Sequence, residues 1–581
     1  MAERAQDAGD AQGAGDARDA GDARDAGDAR GAGDAQDAGD ARDAGSAGDE
    51  RKKLVARAGI VGAGTLLSRV LGLGRDMAFA ALFSVRETDA FFVAFTIPNA
   101  LRQLLGEGAV SSAVVPVLSG KLAKKDEGGD GEREARAFFA SVRGVSLLAL
   151  VVVTVLGMIF ARELTDLFAG GYRARPLDFE RTVQFTRIVF PYIFFMGSAA
   201  LGMAALNAKR RFAVAAFAPG LLNVAFLAAA FLLPGPLARA GIDPGHAMVI
   251  GALVGGLLQV AAQWPALRAI GYAGRPRFRF SDPGVREVLR RMGPMTFGIG
   301  VYYIDLVLSR RFLSELGPGA QSYFAWAMRL CDFPQGIFVM ALSTAALPSL
   351  STFAARGELG ELGKTYAQGM RLSLFVAIPA SAGLVFLAEP IVTTLLQRGA
   401  FNAASAHETA RALAWQGGAI WTVAAVRQLV PVFYAMGNTR TPVIVSAIDL
   451  VAFVGLAVVL RGPLGHAGIS AAVAGSSAVQ MLLLFAALKL QLPNVHAAEI
   501  AGSALRTLAA SLVASAGGWL AAHLVEGWSA GWPLRLVWPG VAAVAAFCAV
   551  FIVEAHLFGS PELESLLSGL RRRLRRGKAP R

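Results

Sequence analysis

The stretch "LLSRVLGLGRDMAFAALF", residues 66–83, is long and apolar enough to enter a bilayer, yet it carries Arg69, Arg75 and Asp76. A charged side chain near mid-bilayer costs about 2.5–3.5 kcal/mol on insertion scales. Three charges so close together therefore lie either outside the lipid or along a polar cavity that handles a charged substrate.

The whole chain belongs in a membrane by composition. Of its 581 residues 54% are hydrophobic, and the mean hydropathy is +0.49, too apolar for a soluble protein of this length. Apolar runs of about 20 residues, the length of one crossing, lie near 57–83, 89–118, 138–160, 183–206, 212–234, 246–270, 292–313, 320–351, 366–388, 408–435, 441–460, 467–488, 505–525 and 534–557. They predict an all-α integral membrane protein of about 14 transmembrane helices. The Gly and Pro within several runs are tolerated in bundles where neighbouring helices resatisfy the backbone. Cys331 and Cys548 both sit in apolar runs, and the six histidines are scattered. Neither a disulfide framework nor a zinc-type spacing can be read, which speaks against a metalloenzyme.

Charge orients the chain. Residues 1–50 form a degenerate "DAGDAR" repeat with 14 acids and 5 arginines, so the remainder carries about +22. The repeat has no apolar face to bury and no hydrophobic core of a signal peptide, so it reads as a solvated tail. Beyond it, "RKKLVAR" (51–57), "KLAKK" (121–125), "NAKRR" (207–211), "RPRFRF" (275–280) and "RRRLRRGK" (571–578) fall on one side of the alternating runs. Lys/Arg excess marks the cytoplasmic side, which places both termini there. The arginine-rich end, 559–581, reads as a topology anchor or a contact for anionic headgroups.

An internal repeat is visible. "SSAVVPVLS" (111–119) matches "STAALPSLS" (343–351), and "DAFFVAFTIP" (89–98) lies opposite "QSYFAWAMRL" (321–330) at the same offset of 232. A weaker likeness joins "IFARELTDLF" (159–168) to "VFLAEPIVTTLL" (385–396). Two parallel six-helix lobes, 51–280 and 281–490, followed by two extra helices in 491–558, are the expected organisation. Repeated halves around a central site are a transporter design.

Ionisable residues cluster in the opening helix pairs of the two halves: Arg69, Arg75, Asp76, Asp89, Arg102 and Glu107 in one, Asp305, Arg310, Arg311, Arg329 and Asp332 in the other. Guanidinium groups stay protonated and fork onto phosphate oxygens, so converging arginines point to a multiply charged anion. Arg69 and Arg75 lie about 120° apart on a straight helix, and Gly72 and Gly74 between them permit a bend. Asn99, Arg102 and Gln103 share a face. The competing reading is that each arginine simply pairs with Asp76 or Glu107. Arg310 and Arg311, near a helix end, are expected to snorkel to the interface. Asp305 in "YYIDLVLS" and Asp449 in "SAIDLV" are lone intramembrane acids that could bind a coupling cation, relay a proton or pair with an arginine. Arg143, Arg187, Arg371 and Arg427 read as structural or interfacial. "GIVGAG" (59–64) has no preceding strand and is read as close helix packing rather than a dinucleotide loop. The "RRRLRR" tail follows a membrane span and is not read as a nucleic-acid contact.

With those residues in view, "SRVLGLGRD", "TDAFFVAFTIPNALRQLLGEGAVSSAVVPVLS", "LPSLSTF", "QRGAF" and "FYAMGNTRTP" together resemble the MurJ (MviN) family of bacterial lipid II flippases, in order from about 57 to 490. The resemblance implies two six-helix lobes alternating access about a central cavity, with the two extra helices bordering a groove for a lipid tail. It implies that lipid II, an undecaprenyl-pyrophosphate-linked disaccharide pentapeptide, is moved to the outer leaflet of the inner membrane without catalysis. Membrane lipids and the cell-wall synthesis machinery are the implied partners, and no cofactor beyond a coupling cation is implied. The family's important arginines map onto Arg69, Arg75, Arg102 and Arg329; Asp76, Asp89, Asn99, Glu107, Asp305 and Asp449 are read as supporting or coupling residues. Three departures are Met328 where the family often has Asp, Gln103 where a second basic residue is common, and Asn438 where Asp is usual. Another polyprenyl-linked saccharide, or a drug moved by a cation-coupled exporter of the same superfamily, is the alternative cargo. A drug-exporter cavity would favour acids and aromatics over arginines.

Because residues 1–50 lack apolar content, their deletion should leave membrane insertion and growth support intact. A deletion variant that accumulates normally yet does not support growth would give the repeat an active role.

Overall fold

The computed structural model describes residues 62, 64–102, 109–123, 130–298, 300–336, 340–529, 531–532 and 534–576. Residues 1–50, Gln103 and Glu107 fall outside them. Among the described residues every regular element is helical. Among the described residues nine helical stretches are long and apolar enough to cross a membrane: Gly131–Ile159, Pro176–Ala208, His246–Ala269, Leu359–Phe386, Ala403–Ala435, Arg440–Leu464, His466–Gln491, Ala497–Trp528 and Trp538–Leu557. The other apolar runs also hold helices among the described residues, among them 64–82, Val85–Arg102, Ala109–Ala123, Gly300–Ser314, Ala320–Pro334 and Met340–Ala355. Pro98, Pro116, Pro334 and Pro348 each lie within these segments, where the ring removes a donor and crowds the preceding turn.

The outward faces are lipid-like. Val151, Val152, Val155, Val458, Val459 and Leu482 stay exposed on long helices, as expected where hydrocarbon is the solvent. Trp528, Trp532 and Trp538 cluster where the last two crossings meet, the amphipathic position that tryptophan favours at an interface.

The repeat is structural as well as sequential. The offset of 232 carries Pro116 onto Pro348 and the helix Ala109–Ala123 onto Met340–Ala355. In each half a long crossing, Gly131–Ile159 or Leu359–Phe386, is followed after one residue by a nine-residue helix, Ala161–Ala169 or Ala388–Leu396. That accounts for the weak likeness of "IFARELTDLF" to "VFLAEPIVTTLL".

The halves are stitched together through short loops. Asp89, only 4% exposed, accepts from the backbone N–H of Gly319 at 2.6 Å, and from the N–H and hydroxyl of Ser322 at 2.8 and 2.7 Å. A carboxylate from the first half thereby caps Ala320–Pro334 in the second, where unpaired N–H groups and the helix dipole favour negative charge. Ser314 Oγ accepts from Gly171 N–H at 3.0 Å, and Arg175 donates to the Ser314 and Leu316 carbonyls. Asp89 is therefore a junction residue.

"QRGAF" is explained by the same junction. Ala400 N–H donates to the Ala81 carbonyl at 2.8 Å, and the Phe401 ring packs edge-on against Trp326 at 4.9 Å. Gly399 has φ +58°, and a Cβ there would lie 2.1 Å from the Ala81 carbonyl oxygen. Gly437 in "FYAMGNTRTP" also has positive φ, +74°, but opens onto free space. Beside it Asn438 Oδ1 accepts from Thr441 N–H at 3.1 Å, so the amide does the N-terminal capping that aspartate would.

These two glycines separate strain from collision. Gly437→Ala should cost roughly 1–2 kcal/mol from the left-handed conformation alone, whereas Gly399→Ala must also displace backbone. The expected result in detergent is a clearly larger fall in unfolding midpoint for Gly399→Ala; equal falls would remove the close approach at Ala81 from the account.

Candidate functional site

A cavity of about 870 Å³ opens among the 64–82 helix, the Ala320–Pro334 helix and the Leu359–Phe386 helix. One part of its wall is polar: Ser68, Arg69, Arg75, Asp76, Asn223, Arg329, Asp332 and Arg427. The rest is apolar, with Leu384, Leu387, Ile391 and Leu395 facing Val544 and Phe547 of the last crossing. Charged and apolar walls thus share one cavity, which reaches the Trp538–Leu557 crossing.

The polar wall is tightly organised around Asp76, which is 5% exposed. Arg75 donates from Nε and Nη2 to Asp76 Oδ1 at 3.0 and 2.7 Å, and from Nη1 to Asn223 Oδ1 at 3.1 Å. Its guanidinium carbon also lies 5.4 Å from the Phe226 ring centre and 5.9 Å from that of Phe79, within cation–π range. Asn223 Nδ2 donates to the Ser68 carbonyl at 3.0 Å, which fixes its amide so that the oxygen faces Arg75. From the other half, Arg329 Nε approaches Asp76 Oδ2 at 3.9 Å, and half of its side chain remains exposed. One buried carboxylate therefore holds two arginines from opposite halves, one saturated by partners and one reaching into the cavity.

Arg69 crosses the same gap: a Cβ at Gly336 would lie 2.2 Å from its Nη2, so its guanidinium rests on the backbone just beyond Ala320–Pro334. The bend allowed by Gly72 and Gly74 is not needed, because the 64–82 segment stays helical and both Arg69 and Arg75 line the cavity. The acids Asp76 and Asp332 compensate the arginine charge in part.

Other residues from the sequence lie elsewhere. Arg102 donates from Nε to Asn99 Oδ1 at 3.0 Å, and neither is among the described walls of this cavity. Asp305 and Asp449 stand on the facing helices Gly300–Ser314 and Arg440–Leu464, within electrostatic range of each other. Both lie in the second half, and Asp449 Oδ1 is buried without a hydrogen bond. Arg310 does not snorkel. It is 6% exposed and donates to Gln321 Oε1 at 3.0 Å, because the loop between Gly300–Ser314 and Ala320–Pro334 folds Gln321 back onto it. Arg311 donates to the Asp166 carbonyl at 2.7 Å. Arg143 packs over Trp264 and Arg187 donates to the Met158 carbonyl, both structural. Asn223 was not singled out in the sequence; a lone amide in the apolar run "APGLLNVAF" was the available signal. Arg427, read as structural, lines the cavity and faces Asp332 electrostatically. Among the described residues no group of three or more His, Cys, Asp or Glu side chains is arranged to hold a metal ion.

Two repeated helical halves enclosing a cavity with charged and apolar walls define a polytopic membrane transporter. A family profile for "Lipid II flippase MurJ" matches residues 79–537, and the chain belongs to that family. It is 36% identical over 431 residues to the lipid II flippase MurJ of Burkholderia cenocepacia, covering 73% of this chain and 82% of that one. It is 34% identical over 460 residues to a probable lipid II flippase MurJ of Bdellovibrio bacteriovorus, covering 79% and 86%. Among solved structures, "Lipid II flippase MurJ, inward closed conformation" superposes with a TM-score of 0.67 at 22% identity, covering 86% of this chain and 98% of that one. A multidrug resistance MATE family transporter of the MOP superfamily, in an inward-facing conformation, follows at TM-score 0.57 and 14% identity, covering 73% and 94%. The fold is shared by both.

Breaking a buried ion pair from one side costs about 3–5 kcal/mol because a charge is orphaned. Arg75→Ala should therefore lower the unfolding midpoint more than Arg75→Ala combined with Asp76→Ala. The single-variant loss should sit at the low end of that range, since Arg329 still faces Asp76. A double variant as unstable as the single one would show that the pair is not what holds this corner.

Proposed function

We propose that the chain translocates lipid II from the inner to the outer leaflet of the cytoplasmic membrane by alternating access between its two lobes. The observation that carries this reading is the form of the cavity. Arg69, Arg75 and Arg329 share it with apolar walls that reach the last crossing. A pyrophosphate joined to a long polyprenyl chain needs both, an anion site for the head and hydrocarbon contact for the tail. The relatives' named function supports this cargo over a drug, as does the predominance of arginine in the polar wall.

In this mechanism Arg329 and Arg69 contact the pyrophosphate directly, while Asp76 keeps Arg75 oriented. Binding of the anion competes with Asp76 for Arg329, so the head group itself loosens a contact between the halves. The Asp89 capping of Ala320–Pro334 and the Gly399–Ala81 contact close the opposite, external side and must yield for release. The process forms and breaks no covalent bond, so the protein is a transporter and not an enzyme. Asp305 and Asp449 are the residues that would carry a coupling cation or proton. Both termini are cytoplasmic on the Lys/Arg distribution, and the cell-wall synthesis machinery receives the product.

The test replaces Arg329 by Ala and by Lys in cells depleted of the endogenous flippase. Exposure of lipid II on the outer leaflet and growth are scored at matched protein levels. Ala should abolish both, and Lys should restore them only in part, since an ammonium cannot reproduce the planar fork. Accumulation of a different lipid-linked saccharide on depletion would assign the cargo elsewhere. Full transport by Arg75→Ala with Asp76→Ala would reduce that pair to a structural brace.

A further inference from the structure

The Trp538–Leu557 crossing is followed after three residues by the helix Pro561–Arg576. Three residues reach about 11 Å fully extended, so this helix must begin close to the end of that crossing. Its first turn is also fixed. Glu562 is 6% exposed; its Oε1 accepts from Arg371 Nη2 at 2.7 Å and from Ser503 Oγ at 2.9 Å, and its Oε2 accepts from Ser560 Oγ at 2.8 Å. Arg371 also faces Glu499 at 3.6 Å. Burial pushes the Glu562 carboxyl up, but its own backbone N–H, both serines and Arg371 outweigh that and hold it below the usual glutamate range. The clamp thus stays charged and ties three helices together: Leu359–Phe386, Ala497–Trp528 and Pro561–Arg576.

Beyond the clamp the helix is two-faced. At 100° per residue, positions 563, 566, 567, 570 and 574, all leucine, fall within an arc of about 100°, and positions 571 and 573 border that arc. Five of the residues in 571–576 are arginine. Among the described side chains of this stripe Leu563 is half-buried, while Leu566 is 40% and Leu567 39% exposed, as are Leu557 and Phe558 at the end of the crossing. An apolar stripe flanked by arginines, close to the end of a crossing, matches the chemistry of a leaflet with anionic headgroups.

We propose that Pro561–Arg576 is a lipid-surface helix that lies in the headgroup layer of an anionic leaflet, leucines toward the acyl chains and arginines toward lipid phosphates. Glu562 is its hinge pin, seating the helix beside the two extra C-terminal crossings. Arg371 belongs to that device. The inference does not depend on which lipid-linked cargo is carried.

The full chain, with Cys331→Ala and Cys548→Ala, would carry one environment-sensitive label at Leu566→Cys, or at Leu557→Cys as the reference for insertion. Each form is reconstituted in phosphatidylcholine vesicles with or without phosphatidylglycerol. The label at 566 should be quenched by a lipid-borne nitroxide and shielded from aqueous iodide, more strongly when phosphatidylglycerol is present. Each arginine near an anionic surface is worth about fivefold in partition, so R571Q with R572Q and R573Q should weaken the docking equilibrium by roughly 100-fold and abolish the phosphatidylglycerol dependence. E562Q should reduce shielding in phosphatidylcholine and leave it largely intact with phosphatidylglycerol. A water-exposed label at 566 alongside a lipid-quenched label at 557 would overturn the proposal. So would indifference to phosphatidylglycerol, or shielding that appears only when duplex oligonucleotide or an acidic protein is added.

Discussion

A carboxylate at the wall of the cavity, Asp76, is the constraint around which the rest is arranged. Charges in a hydrocarbon environment must be paired or wetted, and Asp76 is paired from two directions at once. Arg75 saturates one oxygen and is itself fixed by Asn223 and two aromatic faces. Arg329 approaches the other oxygen from the second half. The first helix, the fifth apolar run and the opening of the second lobe are thereby bound to one small group.

The consequence for function is an asymmetry among arginines that look equivalent on paper. A saturated guanidinium positions its neighbours, and one that is half-exposed is available to an anion. Arg75 is the first kind and Arg329 the second. In the proposed mechanism the anion displaces the loose 3.9 Å contact between Arg329 and Asp76, which would link head-group binding to the contact between lobes. Such coupling needs a differential interaction in the two states, and a shared carboxylate supplies one.

The junction at Asp89 and Gly399 follows a different physical logic. Asp89 uses backbone N–H groups at a helix start, Gly399 uses the absence of a Cβ, and Thr88 and Ser322 exchange a hydroxyl contact at 2.8 Å. Asp89 apart, these are neutral or dipolar groups with little reach. They suit an interface that must separate cleanly, since small groups can be rehydrated on opening more readily than a desolvated ion pair.

Hydropathy, the 232-residue offset and the charges buried in apolar runs were legible in the chain itself, because bilayer thickness, repeated proline positions and the cost of intramembrane charge are local properties of sequence. They pointed to the helical membrane class and the two halves, and they singled out Arg69, Arg75, Arg102 and Arg329, of which the first two and the last line the cavity. What distinguishes a bonded arginine from a reaching one is the neighbour across the bundle, and that is set by packing between residues far apart in sequence. Asn223 lies 148 positions from Arg75, and Glu562 lies 191 from Arg371. For the same reason Arg310 turned out buried against Gln321, Asp305 came within electrostatic range of Asp449, Arg427 joined the cavity, and Arg102 was drawn to Asn99. Which helices are continuous also depended on tertiary structure, since a proline or glycine in an apolar run bends, breaks or merely loosens a helix according to what its neighbours resatisfy.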